Sequence, residues 1–330
     1  MGSIELVCPA GSPAMLRAAV EAGADSVYCG LRDETNARNF PGLNFSPAEL
    51  TEATAWAHGR RAKVLVAINT FARAGETDAW MASVDAAVAA GADAIIAADL
   101  AVLAYAHEAH SSLRLHLSVQ AAANSADAIA FYAEAYGVRR VVLPRVLSAP
   151  EIAALIRETS VEIEAFVFGG LCVMAEGRCA LSSYATGRSP NLSGVCSPPE
   201  AVTFDRSNGQ LTPRLAGLAI DRLGDGEPAG YPTLCKGRFE ADGAPGYLFE
   251  DPVSLNAMGL LKALATAGVR AVKIEGRQRG KAYVARVAAA FRSAIDALDR
   301  GEDTLPYERL LSDLAEGGRE TAGAYRKTWR

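Results

Sequence analysis

Four cysteines carry the most specific chemistry in this 330-residue chain. Cys172, Cys179, Cys196 and Cys235 are spaced C-x6-C-x16-C-x38-C. Four thiolates drawn from backbone rich in Gly, Pro and Ser suit a tetrahedral zinc ion or an iron–sulfur cluster. The spacing lacks the tight C-x2-C pair usual in zinc ribbons and knuckles, which weakens a structural zinc. A cubane, whose corners lie further apart, accepts ligands from separate loops, and four unrelated structural thiols are the plain alternative. Spacing alone leaves all three open. Cys8 and Cys29 sit inside apolar runs and read as small buried hydrophobes.

A second group of polar residues follows apolar runs: Asn69 after VLVAI, Asp99 after AIIAA, Ser118 and Gln120 in HLSVQ, Arg145 in VVLPR, and Glu275 with Arg277 in VKIEGR. Arg38 and Asn44 lie in ETNARNFPGLNF, and Arg178 precedes Cys179. Each taken singly suits a cap or loop hydrogen bond as well as a site. Arginines converging on one mouth suit a small carboxylate-bearing ligand, because guanidinium binds carboxylate bidentately. The chain has no H-E-x-x-H, G-x-S-x-G, Walker A or G-x-G-x-x-G motif. Of the four histidines, His58, His107, His110 and His116, only His116 lies in a strand-like run, where a satisfied core role is the common one. No nucleophile–base pair is evident.

These residues are positioned by a regular alternation. Strand-like runs are Glu5–Pro9, Ser26–Leu31, Lys63–Asn69, Ala94–Asp99, Leu113–Val119, Arg140–Val146 and Glu162–Phe168. Ala-rich helical stretches lie between them, among them Met15–Ala22, Ala79–Ala90 and Ala126–Tyr136. Ser12-Pro13 is an N-cap with proline at the first helical position. Ser46…Glu49 and Ser148…Glu151 fit capping boxes, while Gly23, Gly91, Gly137 and Gly268 close helical patterns. Ser254–Ala267 then reads as a helix, Arg270–Glu275 as an eighth strand and Lys281–Leu298 as the closing helix. Eight strand–helix units predict an α/β fold, a (β/α)8 TIM-like barrel, with polar residues at strand C-termini forming its site.

Residues 171–253 break the alternation, hold the four spaced cysteines and show only short strand-like runs (Ala201–Asp205, Gly217–Asp221 and Tyr247–Glu250). They read as an insertion after the seventh strand, placed over the barrel mouth. The whole of 1–330 reads as a single barrel domain, with the polar tail 300–330 packed on its outside.

Composition narrows the function. Half the residues are apolar and the formal net charge is −5, a poor balance for general nucleic-acid binding. No run of 18 apolar residues exists, so no membrane span is expected. The opening MGSIELVCPAGSP has no signal-peptide character, which makes the expected location cytoplasmic.

ELVCPAGSPAMLRAAVEAGADSVYCGL, FVFGGLCVMAEGRCALSSYATGRSPNLSGVCSPP, GYPTLCKGR and VKIEGRQR resemble the collagenase-like peptidase U-32 family over essentially the whole chain. LRDETNARNFPGLNFS, VLPRVLS and GAYRKTWR are similar to its UbiU branch, which serves oxygen-independent ubiquinone biosynthesis. The resemblance implies a 4Fe–4S cluster on Cys172, Cys179, Cys196 and Cys235, making 171–253 a cluster-binding insertion. It implies a heterodimer with a UbiV-like family member and help from a UbiT-like lipid-binding accessory protein. The implied reaction is anaerobic hydroxylation of the aromatic ring of polyprenyl-phenol ubiquinone precursors, with prephenate as oxygen donor. Prephenate carries two carboxylates, which makes Arg38, Arg145, Arg178 and Arg277 candidates for holding it. Asn69, Gln120 and Glu275 complete the candidate catalytic set. Related members hydroxylate RNA bases, so an RNA base hydroxylase is the first alternative, although no nucleic acid is expected here. A non-catalytic, cluster-bearing docking subunit is the second. The family's peptidase label finds no support in the residues.

Overall fold

The computed structural model describes residues 4–315 and 318–326. Met1–Ser3, residues 316–317 of the tail, and the last four residues of the tail and of the GAYRKTWR motif lie outside the described residues. The first half alternates as expected: β1 (Glu5–Pro9), α1 (Pro13–Glu21), β2 (Ser26–Cys29), α2 (Pro47–His58), β3 (Lys63–Ile68), α3 (Asp78–Ala89), β4 (Ala94–Ala97), α4 (Leu100–Ala109), β5 (Arg114–Leu117), α5 (Ala126–Tyr136), β6 (Arg140–Val142), α6 (Ala149–Glu158) and β7 (Glu162–Gly170). Each strand pairs in parallel with the next. The ring closes through β14 (Ala271–Ile274), which pairs with β1 at Glu5↔Ala271 and with β7 at Ala271↔Glu164. The result is a closed, eight-stranded parallel barrel ringed by helices, a TIM-like fold.

Local chemistry starts and stops the helices where the sequence marks it. Ser46 and Ser148 both form complete capping boxes with Glu49 and Glu151, and the Ser12 hydroxyl accepts from the Met15 N–H with Pro13 behind it. Gly23, Gly91, Gly137 and Gly268 all take positive φ after their helices, the backbone region that costs glycine least.

Between β7 and β14 the chain makes a long excursion. It contains the one-turn helices α7 (Ser183–Thr186) and α8 (Pro190–Ser193). An antiparallel sheet of β8 (Val202–Ser207), β9 (Gln210–Leu215) and β10 (Leu218–Ala219) follows, and then a hairpin of β11 (Arg238–Ala241) and β12 (Ala244–Tyr247). The run Tyr247–Glu250 contributes only its first residue to a strand.

The stretch Ser254–Ala267 differs from its helical reading. Ser254–Asn256 is a strand, β13, pairing antiparallel with the end of β7, and only Leu261–Ala267 (α9) is α-helical. Buried Ser254, Leu255 and Asn256 complete a sheet edge supplied by distant residues, which no local periodicity reveals. After β14 come α10 (Lys281–Asp299), α11 (Leu305–Glu308) and β15 (Glu320–Thr321), the last pairing with β13. The buried Tyr325 hydroxyl then donates to the Phe166 carbonyl on β7. Among the described residues no helix is long and apolar enough to cross a membrane.

The barrel interior is layered. Val7, Tyr28, Leu65, Ala94, Ile96 and Ala271 form an apolar cluster inside it. A column of charge runs alongside, buried at Lys273, Glu164 and Arg140. Lys273 Nζ lies 2.6 Å from Glu164, Arg140 bridges Glu164 to Glu5 and Glu162, and Arg114 joins at Glu162. His116 Nε2 accepts from Arg114 Nε. Burial, then the positive charge of Arg140 and its neighbours, holds His116 neutral, well below its usual pKa.

Candidate functional site at the barrel mouth

A cavity of about 150 Å³ occupies the barrel mouth. Its apolar walls come from Tyr28, Ile96, Val142 and Phe166 on the strands, and its far side from the excursion after β7. Cys172, Cys179, Cys196 and Cys235 all border it. Four separate segments of the excursion bring them there. Cys172 lies two residues beyond β7, Cys179 and Cys196 lie either side of the one-turn helices α7 and α8, and Cys235 sits in a short 3-10 turn before β11. None is in a disulfide.

The thiols sense one another. Burial pushes the Cys172 thiol up to about 12; Arg145 opposes this, while Glu176, Cys196 and Cys235 add to it. Cys235 is also raised, by burial and then by Cys196. Cys196 is exposed. Four thiols on one cavity form a donor set that suits cluster or zinc chemistry. Among the described residues, no group of three or more His, Cys, Asp or Glu side chains is gathered tightly enough to hold a single metal ion. Cys8 and Cys29, by contrast, are fully buried in the core between strands and helices, as the sequence suggests.

Of the other sequence candidates, Arg38, Asn69, Ser118, Gln120, Arg145, Glu275 and Arg277 line the same cavity. Arg178 does not; it is exposed, near Tyr132 of α5. The arginines at the mouth have different partners. The Arg145 guanidinium donates to Glu176 Oε1 at 2.6 Å, to the Gly170 carbonyl and to Cys172 Sγ at 3.4 Å, and it stacks over Phe166. Arg38 donates to the Gly194 carbonyl at 2.6 Å, tying the mouth to the cysteine-bearing excursion. Arg277 donates to the Asn36 amide oxygen at 2.7 Å. Neither Arg38 nor Arg277 forms a salt bridge among the described residues. Burial lowers the Arg277 pKa to about 10; Tyr28 opposes this and the like charge of Arg38 adds to it.

Glu275 accepts from the Gly170 N–H at 3.0 Å. Burial would raise its pKa, but Arg38, Arg145 and that N–H together hold it below its usual range. Asn69 accepts from the Ala37 N–H. Asp99, Ser118 and Asn44 serve the backbone. Asp99 and Ser118 cap the turns that follow them, and Asn44 donates to the Arg38 carbonyl.

Four residues escape sequence reasoning. Asn36 and Glu176 orient the arginines. Tyr28 and Lys273 form the cavity floor, with Lys273 Nζ 4.0 Å from the Tyr28 ring centre. Lys273 lies within the VKIEGR motif, so a charged residue at an inward-facing strand position was the available signal. A second cavity, of about 260 Å³, lies against the Cys172–Met174 segment and is bordered by Leu248, Phe249, Gly323 and Ala324.

Residues 11–323 match the family model described as Peptidase family U32. The chain belongs to peptidase family U32. Its U32 relatives carry differing names. It is 33% identical over 315 residues to the uncharacterized protease MJ0090 of Methanocaldococcus jannaschii, covering 93% of this chain and 69% of that protein. It is 30% identical over 323 residues to tRNA hydroxylation protein P1 of Bacillus subtilis, covering 97% and 70% respectively. It is 29% identical over 304 residues to the 23S rRNA 5-hydroxycytidine C2501 synthase of Escherichia coli, covering 91% of this chain and 40% of that protein.

Proposed function

We propose that this U32 protein is the iron–sulfur subunit of an oxygen-independent hydroxylase acting on the aromatic ring of polyprenyl-phenol ubiquinone precursors. Cys172, Cys179, Cys196 and Cys235 hold a 4Fe–4S cluster, prephenate is the oxygen donor, a UbiV-like family member is the partner, and a UbiT-like accessory protein carries the lipid tail. One observation carries the reading: four thiols border the same cavity as two guanidiniums, Arg38 and Arg277, that form no salt bridge among the described residues. Relatives named as hydroxylation proteins support the hydroxylase class.

When bound, the cluster supplies one-electron transfer. The chain's own residues do the rest. Arg38 and Arg277 take the carboxylates of a small anionic ligand, each able to offer paired N–H donors. Tyr28, Ile96, Val142 and Phe166 keep water from its apolar part. Glu275, held ionised between Arg38 and Arg145, fixes the end of β7 through Gly170 and keeps the mouth from carrying unbalanced positive charge. Arg145 is committed to Glu176 and the β7 end, which leaves Arg38 and Arg277 as the ligand-holding pair.

The names of the Bacillus and Escherichia relatives favour a second reading, hydroxylation of an RNA base. The test is anaerobic purification with a UbiV-like partner and iron and sulfide analysis, followed by parallel assays with prephenate on a polyprenyl phenol and on RNA from a deletion strain. About four irons and four sulfides per chain, with turnover of the phenol lost in Arg38→Ala and Arg277→Ala, is the expected result. Turnover of RNA alone selects the second reading. A loaded cluster with phenol turnover that survives both Arg38→Ala and Arg277→Ala means a docking subunit.

A further inference from the structure

We infer that Arg145 is a positioning residue that sets the reduction potential of the cluster through its hydrogen bond to Cys172. The inference rests on the cluster reading above and concerns a residue that sequence reasoning had grouped with the ligand-binding arginines.

The geometry is specific. Arg145 is only 7% exposed, and its planar fork is fixed on three sides: Nε to Glu176 Oε1, Nη1 to the Gly170 carbonyl, and Nη2 to Cys172 Sγ at 3.4 Å. Glu176 also receives the Arg145 backbone N–H, and the Phe166 ring lies 4.4 Å from the guanidinium carbon. With these contacts filled, Arg145 is poorly placed to follow a ligand and well placed to hold one donor on one sulfur. Gly170 and Cys172 flank a single residue, Leu171, so the same guanidinium grips the end of β7 and the first thiol beyond it.

A cationic donor on a ligating thiolate draws charge from the sulfur, which favours the reduced, more negative cluster and raises its potential. Glu176 tempers the effect, because its carboxylate lies on the far side of the same guanidinium. The pair therefore works as an oriented dipole with its positive end on Cys172.

The experiment is an anaerobic redox titration, followed by electron paramagnetic resonance, of the partner-bound wild type and of Arg145→Gln, Arg145→Lys and Glu176→Gln, each with iron and sulfide counted. Arg145→Gln is expected to make reduction at least tenfold less favourable, a fall of about 59 mV for one electron. Arg145→Lys is expected to fall less, and Glu176→Gln to rise. A loaded Arg145→Gln protein with the wild-type potential overturns the inference and leaves the cluster reading standing. If Arg145→Gln does not load, the two variants that retain the cation decide, and unchanged potentials in both overturn it. A wild type without iron and sulfide overturns the cluster reading and this inference with it.

Discussion

Asn36 holds Arg277 in place. Its amide oxygen accepts from the Arg277 guanidinium at 2.7 Å and from the Arg38 backbone N–H at 3.0 Å, while its amide nitrogen donates to the Leu31 carbonyl. One buried side chain from the loop after β2 thus sets both arginines that face the cavity. Removing it strands a buried cation. Asn36→Ala is expected to cost about 1.5–3 kcal/mol, the range for hydrogen bonds to charged groups, measured by urea unfolding. Asn36→Asp, which keeps the acceptor for Arg277 but loses the donor to the Leu31 carbonyl, is expected to restore only part of it.

The loop that carries Cys179 depends on one glycine. Gly177 has φ +80°, and a Cβ there would lie 2.0 Å from the Gln120 carbonyl oxygen. Neither the backbone nor that oxygen has room to yield cheaply. On the proposed cluster reading, Gly177→Ala is expected to lower iron content sharply while far-UV circular dichroism, dominated by the barrel, stays near wild type. Full iron loading in this variant would show that the loop adapts.

The interior charge column makes stability sensitive to single changes. Glu164 is fully buried and faces both Lys273 and Arg140. Glu164→Gln leaves two buried cations short of a partner and is expected to cost about 3–5 kcal/mol by denaturant unfolding.

Acid acts on the same column through Glu5. Burial would raise its pKa, but the hydrogen bond and charge of Arg140, with help from Ser26 and Lys63, bring it to about 2 from an ordinary 4.5. A carboxyl with a lower pKa in the folded state adds stability above its unfolded pKa and loses it on acidification. The contribution, about 3 kcal/mol, is therefore present above pH ~5 and drains away between pH ~4.5 and ~2. Glu5→Gln is expected to flatten stability across that window, read from unfolding midpoints at successive pH values.

Thiol reactivity should rank by exposure. Cys196 is exposed, whereas Cys8 and Cys29 are fully buried and burial pushes the Cys29 thiol up to about 12. In protein treated with a chelator, iodoacetamide is expected to label Cys196 first and to spare Cys8 and Cys29 until unfolding, as peptide mass spectrometry would report. Early labelling of Cys29 would contradict the buried placement.

The parts legible in the sequence are those written locally. Ser46-Pro47-Ala48-Glu49 and Ser148-Ala149-Pro150-Glu151 specify helix starts within four residues, and both form as read. Strand residues ending in Asn69, Gln120, Arg145, Glu275 and Arg277 do bring those side chains to one mouth, because barrel topology fixes where strand C-termini go. What was not legible depends on pairings far apart in the chain. Ser254–Asn256 is a strand only because the end of β7 is there to meet it. The division of labour among arginines turns on Glu176 and Asn36, which sit in irregular loops with no periodicity to mark them. Arg178 adjoins Cys179 in sequence, yet it points out of the cavity.

The order of the strands has a consequence during synthesis. Seven of the eight barrel strands leave the ribosome before the excursion begins, but β14, which closes the ring between β7 and β1, follows only at Ala271. Translation of residues 171–270 takes on the order of 5–20 s at ordinary rates. Until β14 arrives, any sheet built from β1–β7 has two unpaired edges, the feature most prone to wrong partners. All four cysteines of the mouth emerge within the same interval, before the wall that completes their cavity. A chaperone acting on this chain has its opening then, and the closed barrel offers it far less.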